Sequence, residues 1–222
     1  MTKKQIRDRI TTAFQQYFSA SGIPVASLLP TIVTAGKLYE AYILGIIAEH
    51  LTRDEGYTLT LRNGNQIALK SSPGPINRSY PVVEVSNGRS CVAEIWTDVE
   101  FLSLSASRSG GTGLNRGDYH ELDIMMVDVG QNGRPSHDRV WLGVECKNTG
   151  YNKGLLKEIL GVRRELSYLQ DPRSTRFRRW PRSIVPADPN SCLLVYATDK
   201  AVLEYQDPGQ VFGIDFIHQD FQ

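Results

Sequence analysis

Apolar positions along the chain repeat with two periods, and these divide it into helices and strands. From Lys3 to about Ser19, Ile6, Ile10, Phe14 and Phe18 recur every fourth residue, the stripe of an amphipathic helix. From Ala35 to Arg53, Ile43, Leu44, Ile47, Ala48 and Leu51 form a wide apolar arc and predict a second helix. Alternating or continuous apolar runs then predict strands at Tyr57–Leu61, Gln66–Lys70, Pro81–Val85, Cys91–Leu104, His120–Val127, Val140–Lys147, Ser191–Ala197 and Val211–Ile217. Between the sixth and seventh, Leu155, Ile159, Val162, Leu166 and Leu169 predict a helix over 152–169.

Turn chemistry orders these elements. Asn63-Gly64 predicts a hairpin between the first two strands, Asn87-Gly88 marks another turn, and the polar link holding Asn132-Gly133 and Pro135 joins His120–Val127 to Val140–Lys147 antiparallel. In the long strand from Cys91, Ile95, Thr97, Val99 and Phe101 share one side, while Glu94, Asp98 and Glu100 read as a solvated face. The Ser- and Gly-rich stretch 103–117 reads as a mobile loop, linker or lid, with Arg108 and Arg116 as its phosphate contacts. Its Gly-Gly-x-Gly run lacks the lysine and helix start of a phosphate loop.

Composition narrows the field. At 222 residues the chain suits one domain with peripheral elaboration. A formal net charge of +1 excludes a polycation, so any nucleic-acid surface is a local patch. Cys91, Cys146 and Cys192 are scattered, lack zinc spacing and suit a reducing cytoplasm. No signal-peptide pattern and no apolar run of membrane-spanning length is present, so no membrane partner is expected. Serine-hydrolase, zinc-protease and dinucleotide fingerprints are missing too.

Candidate chemistry gathers on two neighbouring strands. Glu145 and Lys147 lie two residues apart and so face the same way, opposite Leu142, Val144 and Cys146. An acid and a base on a core strand cost desolvation energy unless they are paired or used. On the preceding strand Glu121 and Asp123 share one face and Leu122, Ile124 and Met126 the other. Antiparallel pairing brings Asp123 toward Glu145 and Lys147, a set able to hold a divalent cation against a phosphate. In the second helix, Glu40 falls inside the apolar arc, between Ile47 and Leu51 at 100° per residue. A carboxylate in that arc is unusual, unless as a first-turn acid it is favoured by the helix dipole and reached by water.

Asp123 followed by Glu145-Cys146-Lys147 on adjacent predicted strands, with a helix after them, resembles the PD-(D/E)XK superfamily of restriction-endonuclease-like nucleases. Leu122 stands where the motif's name has proline. The resemblance implies an α/β fold: a mixed central β-sheet flanked by helices, with a core over 35–199, an N-terminal helical extension over 1–34, a β-hairpin elaboration and a C-terminal strand and tail over 200–222. It implies Mg²⁺ or Mn²⁺ bound by Asp123, Glu145 and the Cys146 backbone carbonyl, with Glu40 as the helix acid. Lys147 would steer water or stabilise charge on the phosphate. Glu121 is an extra ligand candidate and His120 a candidate for assisting water.

Nucleic acid, with DNA favoured, is the implied partner. Lys153, Lys157 and Arg164 line one face of the helix after Lys147, as cleft residues or as a solvated face. The stretch holding Arg173, Arg176, Phe177, Arg178, Arg179, Trp180 and Arg182 offers cations for phosphate and rings for bases, or a subunit interface. The reading is an endonuclease, acting as a homodimer or within a larger complex, for instance in restriction or antiviral defence. The alternative is a catalytically silent relative that binds nucleic acid or serves as a scaffold subunit.

Overall fold

Thr2 and Gln5 cap the first helix reciprocally: Thr2 N–H donates to Gln5 Oε1 at 2.8 Å and Gln5 N–H to Thr2 Oγ1 at 3.3 Å. This helix, α1 (Lys3–Tyr17), buries Ile6, Ile10 and Phe14. Phe18 opens the short strand β1 (Phe18–Ala20) and reaches the same core from extended backbone. The computed structural model describes residues 2–20, 29, 34–110, 113–170, 176, 177, 179, 180 and 187–221. Helix α2 (Ala35–Arg53) begins at Thr34, whose hydroxyl accepts the Lys37 N–H, and is buried along most of its length.

The other elements follow in order: β2 (Thr58–Arg62), β3 (Val82–Ser86), β4 (Cys91–Leu102), α3 (Leu104–Arg108), β5 (Tyr119–Asp128), β6 (Val140–Lys147), α4 (Lys153–Leu166), β7 (Tyr168–Leu169), β8 (Ala187–Asp188), β9 (Cys192–Ala197), α5 (Gln206–Val211) and β10 (Ile214–His218). Eight strands form one mixed sheet in the order β1-β2-β3-β4-β5-β6-β9-β10. Pairing is antiparallel from β2 through β6 and parallel at β1–β2, β6–β9 and β9–β10. Strands β7 and β8 form a separate pair. One apolar core lies between the sheet and α1 and α2; a second, under α4, includes Trp96, Leu122, Val195 and Ile159. No helix among the described residues is long and apolar enough to cross a membrane.

Several expectations need correction. The hairpin through Asn63-Gly64 does not form, because both edges of β2 are taken, by β1 and β3. Residues 66–70 instead run beside β4, where Ala68 O accepts the Thr97 hydroxyl and Lys70 N–H donates to Asp98. The stretch after Leu102 is not all loop: Leu104 and Ala106 are buried in α3, which Ser103 caps. Helix α4 stops at Leu166, with Leu156 rather than Leu155 fully buried, and Leu169 is exposed in β7.

The long strand also changes face. Ile95 belongs to the core under α2, but Val99 and Phe101 belong to the core under α4. Between them Asp98 has φ +52°, a left-handed backbone that a short polar side chain tolerates, and this breaks the alternation. Asp98 is consequently buried, at 4 % exposure, and Glu94, on the face it shares with Trp96, is buried at 1 % by its ion pair with Arg78 and its bond from the Trp96 indole, so neither is solvated. Strand β5 switches similarly, placing Leu122 in one core and Ile124 and Met126 in the other.

Gly143, inside the Glu-x-Lys strand, is required by packing. A Cβ there would lie 2.9 and 3.1 Å from the two Leu122 methyl carbons and 3.3 Å from Leu193 Cδ1, both side chains being fully buried. Alanine would gain about 0.5–1 kcal/mol of backbone entropy against an overpacking cost of about 1–3 kcal/mol. Gly143→Ala is expected to lower stability by about 1–2 kcal/mol, read as a lower midpoint in urea unfolding at unchanged slope.

Candidate active site

The site forms where the central sheet forks. Pairing between β5 and β6 ends at Ile124–Val144. Beyond that point β5 stays with β4 as far as Leu102–Tyr119, and β6 stays with β9 as far as Lys147–Ala197. Asp123 sits just past the fork, and its Oδ2 accepts the Cys146 N–H at 2.6 Å. The carboxylate replaces the ladder bond that the separating strands cannot make.

On the α2 side, carboxylate oxygens of Glu40, Asp98 and Asp123 all lie within 4.8 Å of one another. Glu40 is turned inward, at 7 % exposure. Lys37, one helical turn earlier, reaches both neighbours: its Nζ is 2.8 Å from Glu40 Oε2 and bonds Asp98 Oδ1. Asp98 Oδ2 also accepts the Lys70 N–H at 3.0 Å. On the other side Glu145, at 5 % exposure, pairs with Lys147 at 2.8 Å, and Lys147 reaches Glu158 of α4 at 3.4 Å. The pairing registers put Glu145 and Lys147 beside Val195 and Ala197, toward α4, and Cys146 beside Tyr196, toward α2.

Electrostatics follow from crowding acids in a dry place. Burial, then the charge of Asp123, pushes Glu40 up to about 8, although Lys37 pulls the other way. Burial also raises Asp123, against the Cys146 N–H and the two lysines. Glu145 is raised by burial and by Asp123 and drawn back by Lys147. Burial works against the charge on Lys37, but its bonds to Asp98 and Glu40 outweigh it, and the pKa ends above the ordinary value. Lys147 likewise stays firmly protonated beside Glu145. The Cys146 thiol is pushed well up by burial and by the surrounding acids, so it stays neutral and inert.

Sequence candidates thus separate into groups. Asp123 and Glu40 meet directly; Glu145 and Lys147 face each other across the fork from them. Asp98 joins the cluster unexpectedly, and the only sequence signal would have been an acid in an otherwise buried strand. Lys37 is the other residue missed; its spacing of three from Glu40 places it on the same helix face. Glu121 is exposed and pairs across β4 with Glu100, outside the cluster, and His120 leans on Phe101 at 5.9 Å.

Lys153 and Lys157 are exposed on the same helix as Glu158, while Arg164 lies over Tyr168 at 4.7 Å. The arginine stretch sits elsewhere. Arg176 pairs with Asp128 at 3.0 Å and covers Trp141, Trp180 stacks flat on His50 at 4.5 Å, and the Arg179 and Trp180 N–H groups bond Glu55. Sixteen residues of helical rise, roughly 24 Å, separate Lys37 from Arg53, and Glu55 follows just beyond the helix end. Of its described residues, Arg179 and Trp180 are therefore anchored at the far end of α2 and Arg176 at Asp128, away from the carboxylates. Arg178, Arg173 and Arg182 lie outside the described residues.

No protein-family model, curated protein or solved structure matches the chain. What the site can do must be read from its own geometry.

Because Glu40 keeps its proton to about pH 8 when folded, against an ordinary value of 4.5, the folded chain binds more protons than the unfolded chain between those values. The stability tied to this group is present below pH 4.5 and lost as pH rises through about 8. In EDTA, the thermal midpoint is expected to fall by several degrees between pH 5 and pH 8, and Glu40→Gln should flatten that fall, both measured by calorimetry.

Proposed function

We propose that this chain is a metal-dependent endonuclease that hydrolyses phosphodiester bonds, with DNA the favoured substrate and a cytoplasmic setting. The observation that carries the reading is Asp123, held in the fork by the Cys146 N–H, with Glu40 and Asp98 on one side and Glu145 and Lys147 on the other. The order of elements supports it: helix α2, the antiparallel run β4-β5-β6, helix α4, then β9 parallel to β6.

The donor set suits a hard divalent cation. Four carboxyl groups, those of Glu40, Asp98, Asp123 and Glu145, outnumber two ammonium groups, and Glu40 stays protonated in the absence of further positive charge. Asp123, Glu40 and Asp98 would hold Mg²⁺ or Mn²⁺, joined by Glu145 and the Cys146 carbonyl. Such an ion would supply charge to a phosphate oxygen and lower the pKa of a bound water. Lys147, fixed by Glu145 and kept protonated, offers its ammonium to negative charge growing on the phosphate. Lys153 and Lys157 offer exposed cations for the backbone on the same side of the sheet as Glu158. A homodimer or a larger assembly would place two such sites on one duplex.

One observation favours a second reading, a nuclease-like chain that binds without cutting. The Lys37 ammonium already lies between Glu40 and Asp98 and neutralises part of the cluster.

Supercoiled plasmid, single-stranded DNA and RNA incubated with Mg²⁺ or Mn²⁺, and with EDTA, test the two. Metal-dependent cutting is expected, falling roughly 100-fold or more in Asp123→Asn and Lys147→Ala. Cutting that survives both substitutions sinks the assignment. Calorimetric Mn²⁺ binding without any cutting supports the second reading, and no binding at all removes the metal from the site.

A further inference from the structure

A cavity of about 370 Å³ opens near the C-terminal end of α4, lined by Leu160, Tyr168, Leu169 and Phe212 together with Arg163 and Arg164. Arg163 is 2 % exposed, yet among the described residues no carboxylate pairs with it. Its Nε donates to Phe212 O at 2.9 Å and its Nη1 to Ser191 Oγ at 2.9 Å, both neutral acceptors. Its Nη2 has no hydrogen-bond partner among the described residues. Among the described residues Tyr151 Oη is the one fully buried side-chain atom left unpaired, so Nη2 keeps contact with solvent, and the cavity is where solvent meets this side chain.

A guanidinium inside the fold with only neutral acceptors is costly, and an anion is what would offset that cost. Burial accordingly draws the Arg163 pKa down to about 10, opposed only by the Cys192 thiol. The surroundings have the same sign. Arg108 and Arg164 lie 4.2 and 4.7 Å from the Tyr168 ring and form no ion pair among the described residues. Of the nearby acids, Glu165 gives its carboxylate to the Ser105 N–H at the start of α3, and Asp188, the strand partner of Tyr168, has a partner of its own. The rest of the lining is apolar, and Leu169 and Phe212 remain about two-fifths exposed, at 41 % and 38 %.

We infer that this cavity binds an organic anion whose carboxylate or phosphate-monoester head meets Arg163 and whose apolar body lies against Leu160, Leu169 and Phe212. A guanidinium fork accepts either head in bidentate fashion. The volume falls within the range of small-molecule pockets. The site is separate from the carboxylate cluster, and the inference does not depend on the nuclease reading.

Calorimetric titration of the full chain with octanoate, octyl phosphate and octanol tests it. At least one anion is expected to bind one molecule per chain, with octanol at least tenfold weaker. The tighter of the two anions identifies the head as carboxylate or phosphate. Arg163→Met should abolish anion binding. Because Arg163 also ties α4 to Phe212 and Ser191, the deciding pair is at the exposed rim: Leu169→Asp should weaken the anion at least tenfold, while Leu169→Lys should not weaken it. Octanol binding as well as the anions, no anion binding at all, or a Leu169→Asp chain that binds like wild type would overturn the inference.

Discussion

The hydrogen bond from the Cys146 N–H to the Asp123 carboxylate is the contact on which the site depends. Two adjacent strands separate at Ile124 and Val144, and separation leaves backbone donors without a ladder partner. Such a donor is costly to leave bare in the interior. Asp123 fills the gap with a charged acceptor at 2.6 Å. The same bond that closes the fork therefore fixes an acid between the two faces of the sheet, within reach of α2 on one side and of Lys147 on the other.

From that position the charge balance of the interior follows. Asp98 reaches the cluster because its left-handed backbone turns it off the regular alternation of β4, and Glu40 reaches it from the most buried helix. The acids raise one another's pKa values, opposed by Lys37, Lys147 and, at Asp123, the Cys146 N–H. A buried ion pair is weak evidence for stability, since desolvation offsets much of the attraction. Keeping four acids here is easier to understand as a binding device than as a folding one.

Positive charge is distributed for different purposes in different places. Lys37 and Lys147 sit within the fork. The described residues of the arginine stretch are used inside the fold: Arg176 on Asp128 and Trp141 of the sheet, Trp180 on His50, and the Arg179 and Trp180 N–H groups on Glu55 just past the end of α2. Arg163, in turn, bonds two neutral acceptors, Phe212 O and Ser191 Oγ, and among the described residues meets no carboxylate.

The local pattern of the chain settled a great deal. Spacing of four placed α1 and its stripe, the apolar arc placed α2 over Ala35–Arg53 but left Glu40 between two readings, and alternation placed β6 at Val140–Lys147 with Glu145 and Lys147 together. These are short-range properties, carried by side-chain period alone. What the pattern could not reach depends on partners distant in sequence. The segment 66–70 has strand-like alternation, but β2 had no free edge to offer it. Asp98 is buried because its left-handed backbone breaks the alternation, and Glu94 because Arg78, distant in sequence, covers it beside Trp96. Asp98 and Lys37 therefore entered the site only once α2, β4 and β5 were packed together. The sequence by itself determined which strands and helices carry the acids and the lysine. Only the tertiary structure decided which of them meet, because burial, sheet edges and the position of the fork are properties of the assembled fold.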